Sequence, residues 1–331
     1  MFDYKTRVKR LRRLLADSKC RAFFTGGDYN NNAYYLTGDS TRPSFVLVTP
    51  DDVYCFTDFD EPFGMKKPLR DIRKQLKQLF QEDKVKCLAV DERATPVSFG
   101  WWLDKQGIRQ KPFCEKLFDL RSVKDNQERK AINRAQQVSR LCVDEAVRNP
   151  WGKTENELKG LMEFTARKLA GDLNSFRPIV SVSPFNAHPH PAETNNKIAR
   201  NKTLVLDVGA RVDYYCGDYT RTIYEGSDKR IKDAISAVKE AKKVAFKKAK
   251  AGVKGKVVSD AAHEVIKEYG FGEYSFRKTG LAIGHAVGLN VHDHLNSLDR
   301  VTMRKGNVFA IEPGIYVPHQ FGVRFEDLVF V

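Results

Sequence analysis

At 331 residues the chain can bury a large core, and its length favours two domains over one. Hydrophobic residues at 41% and charged residues at 30% exclude a disordered or fibrous chain. The net charge of +15 admits a nucleic-acid or membrane-surface partner. Much of the excess lies in Lys229 to Lys256, however, where lysines fall between Ile231, Ile235, Val238, Val244 and Ala245 as on the solvated side of a helix. A polyanion partner is therefore not needed to explain the charge.

Residues 4 to 18 space their apolar side chains as an amphipathic helix, and Arg21 to Thr25 reads as a short strand. Gly-Gly-Asp-Tyr-Asn-Asn-Asn predicts a turn-rich loop before Tyr34, Tyr35 and Leu36. Ser44 to Val48 and Val53 to Thr57, separated by Thr49-Pro50-Asp51-Asp52, predict a hairpin. A basic helix from about Pro68 to Glu82 and a strand from Cys87 to Val90 follow. These 120 residues form an α/β layer without convergent catalytic side chains.

From Leu120 the texture changes. A long helix covers roughly Asn126 to Arg148 and ends at Asn149-Pro150. Thr154-Glu155-Asn156-Glu157 has the form of a capping box and opens a helix to about Ala170. Phe176 to Val182 predicts a strand, followed by a loop holding His188 and His190. Helices are expected at about Lys229 to Ala251 and at Ser259 to Tyr269, the second closed by Gly270. Asn307 to Val331 reads as strand, turn, strand.

Six cysteines without a CxxC pair fit free thiols in a reducing cytoplasm. The N-terminus lacks the continuous apolar core of a signal peptide, and no stretch approaches the roughly 20 apolar residues of a membrane span. A soluble, cytoplasmic protein is expected.

Two pairs of acids carry the chemistry. If Thr203 to Thr222 reverses between Val212 and Asp213, Asp207 faces Asp218 across a hairpin with Cβ atoms roughly 5 Å apart. A reversal centred on His319 likewise sets Glu312 opposite Glu326. Like charges placed face to face are unfavourable, and a divalent cation between them is a compact solution. Between the pairs lies Gly-His285-Ala-Val-Gly-Leu-Asn-Val-His292. One imidazole among four carboxylates suits Mn²⁺, Co²⁺, Fe²⁺ or Zn²⁺, and not a thiolate-bound structural zinc. Two such ions balance four carboxylates and can activate water beside a polarised carbonyl.

Asp207 with Asp218-Tyr-Thr-Arg-Thr, His285 with Val291-His292-Asp293, Glu312-Pro-Gly and Arg324-Phe-Glu326-Asp closely resemble the pita-bread metallopeptidases of family M24, the group of methionine aminopeptidase, prolidase and aminopeptidase P. Tyr35-Leu-Thr-Gly38 resembles the creatinase/prolidase N-terminal domain, and Leu120-Arg-Ser-Val-Lys-Asp resembles the usual lead-in to the catalytic domain. The resemblance implies an α/β (α+β) fold: a creatinase/prolidase-type N-terminal α/β domain over residues 1–120, then a pita-bread catalytic domain with a curved antiparallel sheet over 121–331. It implies Asp207 and Asp218 on one metal, His285 and Glu312 joining Asp218 at the other, and Glu326 bridging both. Mn or Co is favoured, with Zn or Fe as alternatives.

By the same resemblance a hydroxide between the ions attacks the carbonyl before proline, and Glu312 shuttles the proton. His292 and His190, the latter preferred to His188, line the substrate site and steady the tetrahedral intermediate. Arg324 pairs with a carboxylate, either the substrate C-terminus or a ligand, or simply holds Asp218 or Glu326. Tyr215 packs near the metals, and His263 and His294 are structural or surface residues. The expected activity is that of an Xaa-Pro dipeptidase, with aminopeptidase P action on longer peptides as the alternative and a non-catalytic binding module as the alternative of another class. A homodimer without membrane or nucleic-acid partners is expected. Leu281 stands where many relatives carry a further histidine, the loop Val182-Ser-Pro-Phe-Asn lacks a common glycine, and the chain stops five residues after Glu326, sooner than most relatives, which leaves either a shortened closing strand or a trimmed terminus.

Overall fold

The computed structural model describes residues 2–27, 30–39, 44–57, 63–170, 174–293 and 297–331. His294, and Asp28 and Tyr29 of the expected loop, lie outside the described residues. By its internal contacts the chain divides into Met1–Arg121 and Ser122–Val331.

The first unit runs α1 (Tyr4–Ser18), β1 (Ala22–Gly27), α2 (Asn31–Thr37), β2 (Ser44–Val48), β3 (Val53–Phe56), β4 (Met65–Lys67), α3 (Ile72–Glu82), β5 (Cys87–Val90), α4 (Val97–Lys105), β6 (Arg109–Pro112) and α5 (Cys114–Ser122). Its strands form one sheet in the order β4-β3-β2-β1-β5-β6. The β1–β2 and β2–β3 pairs are antiparallel and the others parallel. Phe24, Leu47, Phe56, Leu76, Leu88 and Leu103 make a core on the sheet. Each such side chain contributes about 1.5–3 kcal/mol on burial.

Two expectations change here. The asparagine run opens the helix α2 and is not a loop: the Asn30 side chain accepts hydrogen bonds from the amides of Asn32 and Ala33 and caps the helix that Asn31 begins. Cys20 and Cys87 are joined as a disulfide, while Cys55, Cys114, Cys142 and Cys216 are free and buried. The parallel register of β1 on β5, Ala22 beside Leu88, brings the two cysteines together although 67 residues separate them.

The second unit runs α6 (Asn126–Ala146), α7 (Glu155–Ala170), β7 (Ile179–Val182), β8 (Leu204–Val208), β9 (Arg211–Val212), β10 (Tyr215–Cys216), β11 (Tyr219–Ile223), α8 (Lys229–Lys248), α9 (Gly255–Glu268), β12 (Val308–Ile311), β13 (Gly314–Val317), β14 (Phe321–Arg324) and β15 (Asp327–Phe330). Asp125 and Glu128 form a reciprocal capping box on α6, and Thr154 and Glu157 exchange the expected hydrogen bonds at α7. The described strand pairs of this unit are all antiparallel.

Helices α6 and α7 bury Val138, Val143, Leu158 and Met162 with Leu204 and Leu206. Helices α8 and α9 bury Ala234, Val238, Ala241 and Ile266 with Phe309, Ile315 and Val323. Most lysines of α8 are exposed, namely Lys229, Lys232, Lys239, Lys243, Lys247 and Lys248, whereas Lys242 is largely buried and pairs with Asp327. Strand β15 pairs with β12 along all four of its residues, from Val308 with Phe330 to Ile311 with Asp327. Among the described residues no helix is long and apolar enough to cross a membrane.

Candidate active site and metal centre

The two acid-bearing hairpins differ in how well their registers match expectation. In the second, β13–β14 pairs Gly314 with Arg324 and β12–β15 pairs Ile311 with Asp327. Glu312 therefore falls opposite Glu326, as expected. In the first, Asp207 pairs with Thr220, not with Asp218. The chain reverses one residue later than expected, at Asp213 and Tyr214, which both adopt positive φ (49° and 67°). This is the geometry of a primed two-residue hairpin turn without its usual glycine. A shift of two positions keeps side chains on the same face, so Asp218 stays on the side of Asp207 as a diagonal neighbour.

Helix α6 backs this hairpin. Gln136 accepts a hydrogen bond from the Asp218 amide at 2.9 Å, and Ser139 accepts one from Ala210 at 2.7 Å. Glu128 accepts one from the hydroxyl of fully buried Tyr215 at 2.9 Å. The hairpin meets the second one where the Glu326 amide donates to the Thr220 carbonyl at 3.1 Å. Thr220 Oγ1 also donates to Glu326 Oε2 at 2.6 Å.

His285 comes from the segment between α9 and β12. Its carbonyl accepts from the Ala310 amide at 2.9 Å. Gly284 permits that approach, because a Cβ there would sit 1.9 Å from the Ala310 carbonyl oxygen.

Asp207, Asp218, His285, Glu312 and Glu326 line one cavity of about 170 Å³. His190, His292 and Arg324 line it too, and Phe176, Ile179 and Val291 supply apolar wall. His285 Nε2 lies 3.4 Å from Asp218 Oδ2 and 3.6 Å from Glu312 Oε1. The His285 and His292 rings are 4.1 Å apart at 63°. His188 is not part of the wall; its Nδ1 accepts from the His190 amide at 3.2 Å in a local turn. His263 is also elsewhere, in α9 against Ser275 Oγ at 3.0 Å.

Arg324 is 3% exposed, and its guanidinium is occupied within the protein. It donates to Asp207 Oδ2 at 2.6 Å, the Pro189 carbonyl at 2.8 Å and the Tyr316 hydroxyl at 3.1 Å. Its carboxylate partner is thus Asp207, and not Asp218 or Glu326. The bond to Pro189 also fixes the loop that brings His190 to the wall. Thr220, Gln136 and Tyr316 went unnoticed in the sequence. Only Thr220, inside Asp-Tyr-Thr-Arg-Thr and one step of alternation from Asp218, carried a local signal.

Burial and the neighbouring carboxylates push Asp218 and Glu326 well above the usual carboxylate range. Burial and Asp207 push Glu312 up to about 7, with Arg324 opposing. Burial, helped by His292, lowers His285 to about 3. Burial also lowers His190, with Arg324 adding to it, and His292, with His190 adding to it. The three imidazoles are neutral at pH 7, able to ligate a metal or donate one hydrogen bond.

This cluster fits divalent cations. Asp207 Oδ1 is buried without a hydrogen-bond donor, and Asp218, His285 and Glu326 each bring a ligand atom within 4.8 Å of the others. A hard, oxygen-rich donor set with one imidazole matches such ions.

Residues 130–331 match the model of metallopeptidase family M24, and residues 7–123 that of the creatinase/prolidase N-terminal domain. The chain belongs to metallopeptidase family M24. It is a peptidase, and M24 membership implies divalent metal ions. The chain is 31% identical over 314 residues to an Xaa-Pro dipeptidase of Pyrococcus horikoshii, a match covering 91% of this chain and 88% of that one. The fold resembles an X-Pro aminopeptidase from Thermotoga maritima, with TM-score 0.87 and 29% identity over 97% of this chain and 94% of the other. It equally resembles a prolidase from Pyrococcus horikoshii, with TM-score 0.88 and 26% identity over 98% and 95%.

Proposed function

We propose that this M24 peptidase hydrolyses the bond before proline and is an Xaa-Pro dipeptidase. The observation that carries the reading is the match to an Xaa-Pro dipeptidase over 91% of the chain, N-terminal unit included. The domains are residues 1–120, of creatinase type, and 121–331, catalytic. The split after Arg121 and the family matches at 7–123 and 130–331 support that division.

Asp207, Asp218, His285, Glu312 and Glu326 hold two divalent ions, Mn²⁺ or Co²⁺ before Zn²⁺ or Fe²⁺. Bound there, such ions would polarise the scissile carbonyl and would make water a nucleophile at neutral pH. Glu312 moves the proton from water to the leaving nitrogen; its carboxyl lies 3.6 Å from His285 Nε2 at the cavity wall, with 24% of its side chain exposed, which puts it within reach of both. His190 and His292, neutral and at the wall, donate hydrogen bonds to the oxygen that gains charge. Arg324 acts on Asp207, holding its orientation, and the apolar side chains of Phe176, Ile179 and Val291 pack against the pyrrolidine ring. The enzyme works as a cytoplasmic homodimer.

Aminopeptidase P action is the second reading, favoured by the equal likeness to the X-Pro aminopeptidase fold. After loading with Mn²⁺ or Co²⁺, faster release of proline from Xaa-Pro than cleavage of Xaa-Pro-Yaa supports the dipeptidase. The reverse order supports the aminopeptidase, and no turnover of either refutes both.

A further inference from the structure

The buried ion pair of Lys124 and Asp293 lies outside the acid cradle, and none of the roles above uses it. Lys124 Nζ is 3.1 Å from Asp293 Oδ2, with both side chains 1% exposed. Charges so buried persist only when paired. Their neighbours give the pair a purpose. Asp293 directly follows His292, and its amide donates to the Ala286 carbonyl at 2.8 Å, closing the loop that carries His285 at one end and His292 at the other. Inside the loop the Asn290 amide donates to Asp293 Oδ1 at 3.3 Å. Gly288 lies flat on the same carboxylate: a Cβ there would be 2.1 Å from Oδ2. The Gly288 carbonyl in turn accepts from the amide of Cys216, two residues before Asp218, at 2.8 Å. Lys124 is fixed from its own side, its amide donating to the Gly306 carbonyl at 2.9 Å.

The geometry points to Lys124 and Asp293 as positioning residues. Their ion pair anchors the 286–293 loop, and through it sets the separation of His285 from His292 and of His285 from Asp218. A carboxylate at the neck of the loop gathers Asn290, Gly288 and the loop closure around one point, and the lysine ties that point to the segment leading into α6. Neither residue touches substrate. Partners of this kind, one step behind the ligands, typically govern metal affinity and activity by about 10–100-fold.

The inference rests on the metal-centre reading of His285, so the test includes a readout independent of peptide cleavage. In Asp293→Glu and Lys124→Arg the charges remain and the lengths change. Both are expected to fold, with melting close to the parent, but with altered side-chain NMR signals of His285 and His292 in the metal-free protein. Co²⁺ affinity should be about 10–100-fold weaker, with an altered cobalt absorption spectrum, and kcat should fall more than KM rises. Lys124→Met with Asp293→Asn removes both charges; it should fold better than Lys124→Met or Asp293→Asn alone, each of which strands one buried charge, yet keep the perturbed histidine signals. Parental histidine signals and Co²⁺ affinity in folded Asp293→Glu and Lys124→Arg would overturn the assignment. Perturbed signals with no cleavage of prolyl peptides even by the parent would leave the positioning role standing and refute the proposed activity.

Discussion

Thr220→Val separates the orientation of a ligand from its presence. Thr220 is fully buried, stands opposite Asp207, and donates to Glu326 Oε2 at 2.6 Å. Valine keeps the shape and removes the hydroxyl. It also removes the weaker contact from Arg324 Nε to Thr220 Oγ1 at 3.4 Å. A hydrogen bond to a charged group contributes about 1.5–3 kcal/mol, which corresponds to roughly ten- to a hundredfold in an equilibrium constant. The hydroxyl favours ionised Glu326, the form that ligates, so its loss should weaken metal binding by that factor. Competition against a fluorescent chelator gives the affinity, and melting in excess metal reports the fold. A Kd within twofold of the parent would refute the role given to Thr220 and, with it, the placing of Glu326 within the metal cradle.

Asp218→Ala should abolish activity and release metal while far-UV circular dichroism and cooperative melting persist; retained activity would remove Asp218 from the ligand set. Arg324→Met leaves Asp207 buried without its cation and should cost the metal-free protein about 3–5 kcal/mol in chemical denaturation. Saturating Mn²⁺ should recover much of that loss, and equal destabilisation with and without metal would contradict the pairing. The pH dependence follows from the raised carboxyls. Asp218, Glu326 and Glu312 hold protons in the fold that an unfolded carboxyl releases near pH 4, so their stabilisation is complete below that pH and is lost as pH rises through the folded values, about 7 for Glu312. Metal binding should therefore release protons, and the gap between Mn²⁺-loaded and EDTA-treated melting temperatures should widen from pH 4 to 7; a constant gap would refute this.

What the sequence disclosed depended on how local the cause was. The turn Pro318-His319-Gln320 is a compact signal, and from it the Glu312–Glu326 pairing followed. The first hairpin turns on two non-glycine residues in the left-handed region, which leave no compositional mark, so its register came out two positions away. That slip did little harm because the period of a strand is two. Helix α2 was hidden by asparagines, of which Asn30 caps the helix and Asn32 reaches Asp91 from inside it. Helix α4, Val-Ser-Phe-Gly-Trp-Trp-Leu-Asp-Lys, lacks the periodic polar face that marks a surface helix. The Cys20–Cys87 bond and the contact of Arg324 with Asp207, 117 residues apart, depend on strand neighbours that only the folded sheet creates.

The most direct test of the account is to titrate metal-free protein with Mn²⁺ or Co²⁺ while following proline released from an Xaa-Pro dipeptide. Activity should rise from zero and saturate at two ions per chain, with none released by the Asp218→Ala protein. Proline release that persists in chelator, or its absence at every metal load, would contradict the assignment of the five-residue cradle as the machinery of an Xaa-Pro dipeptidase.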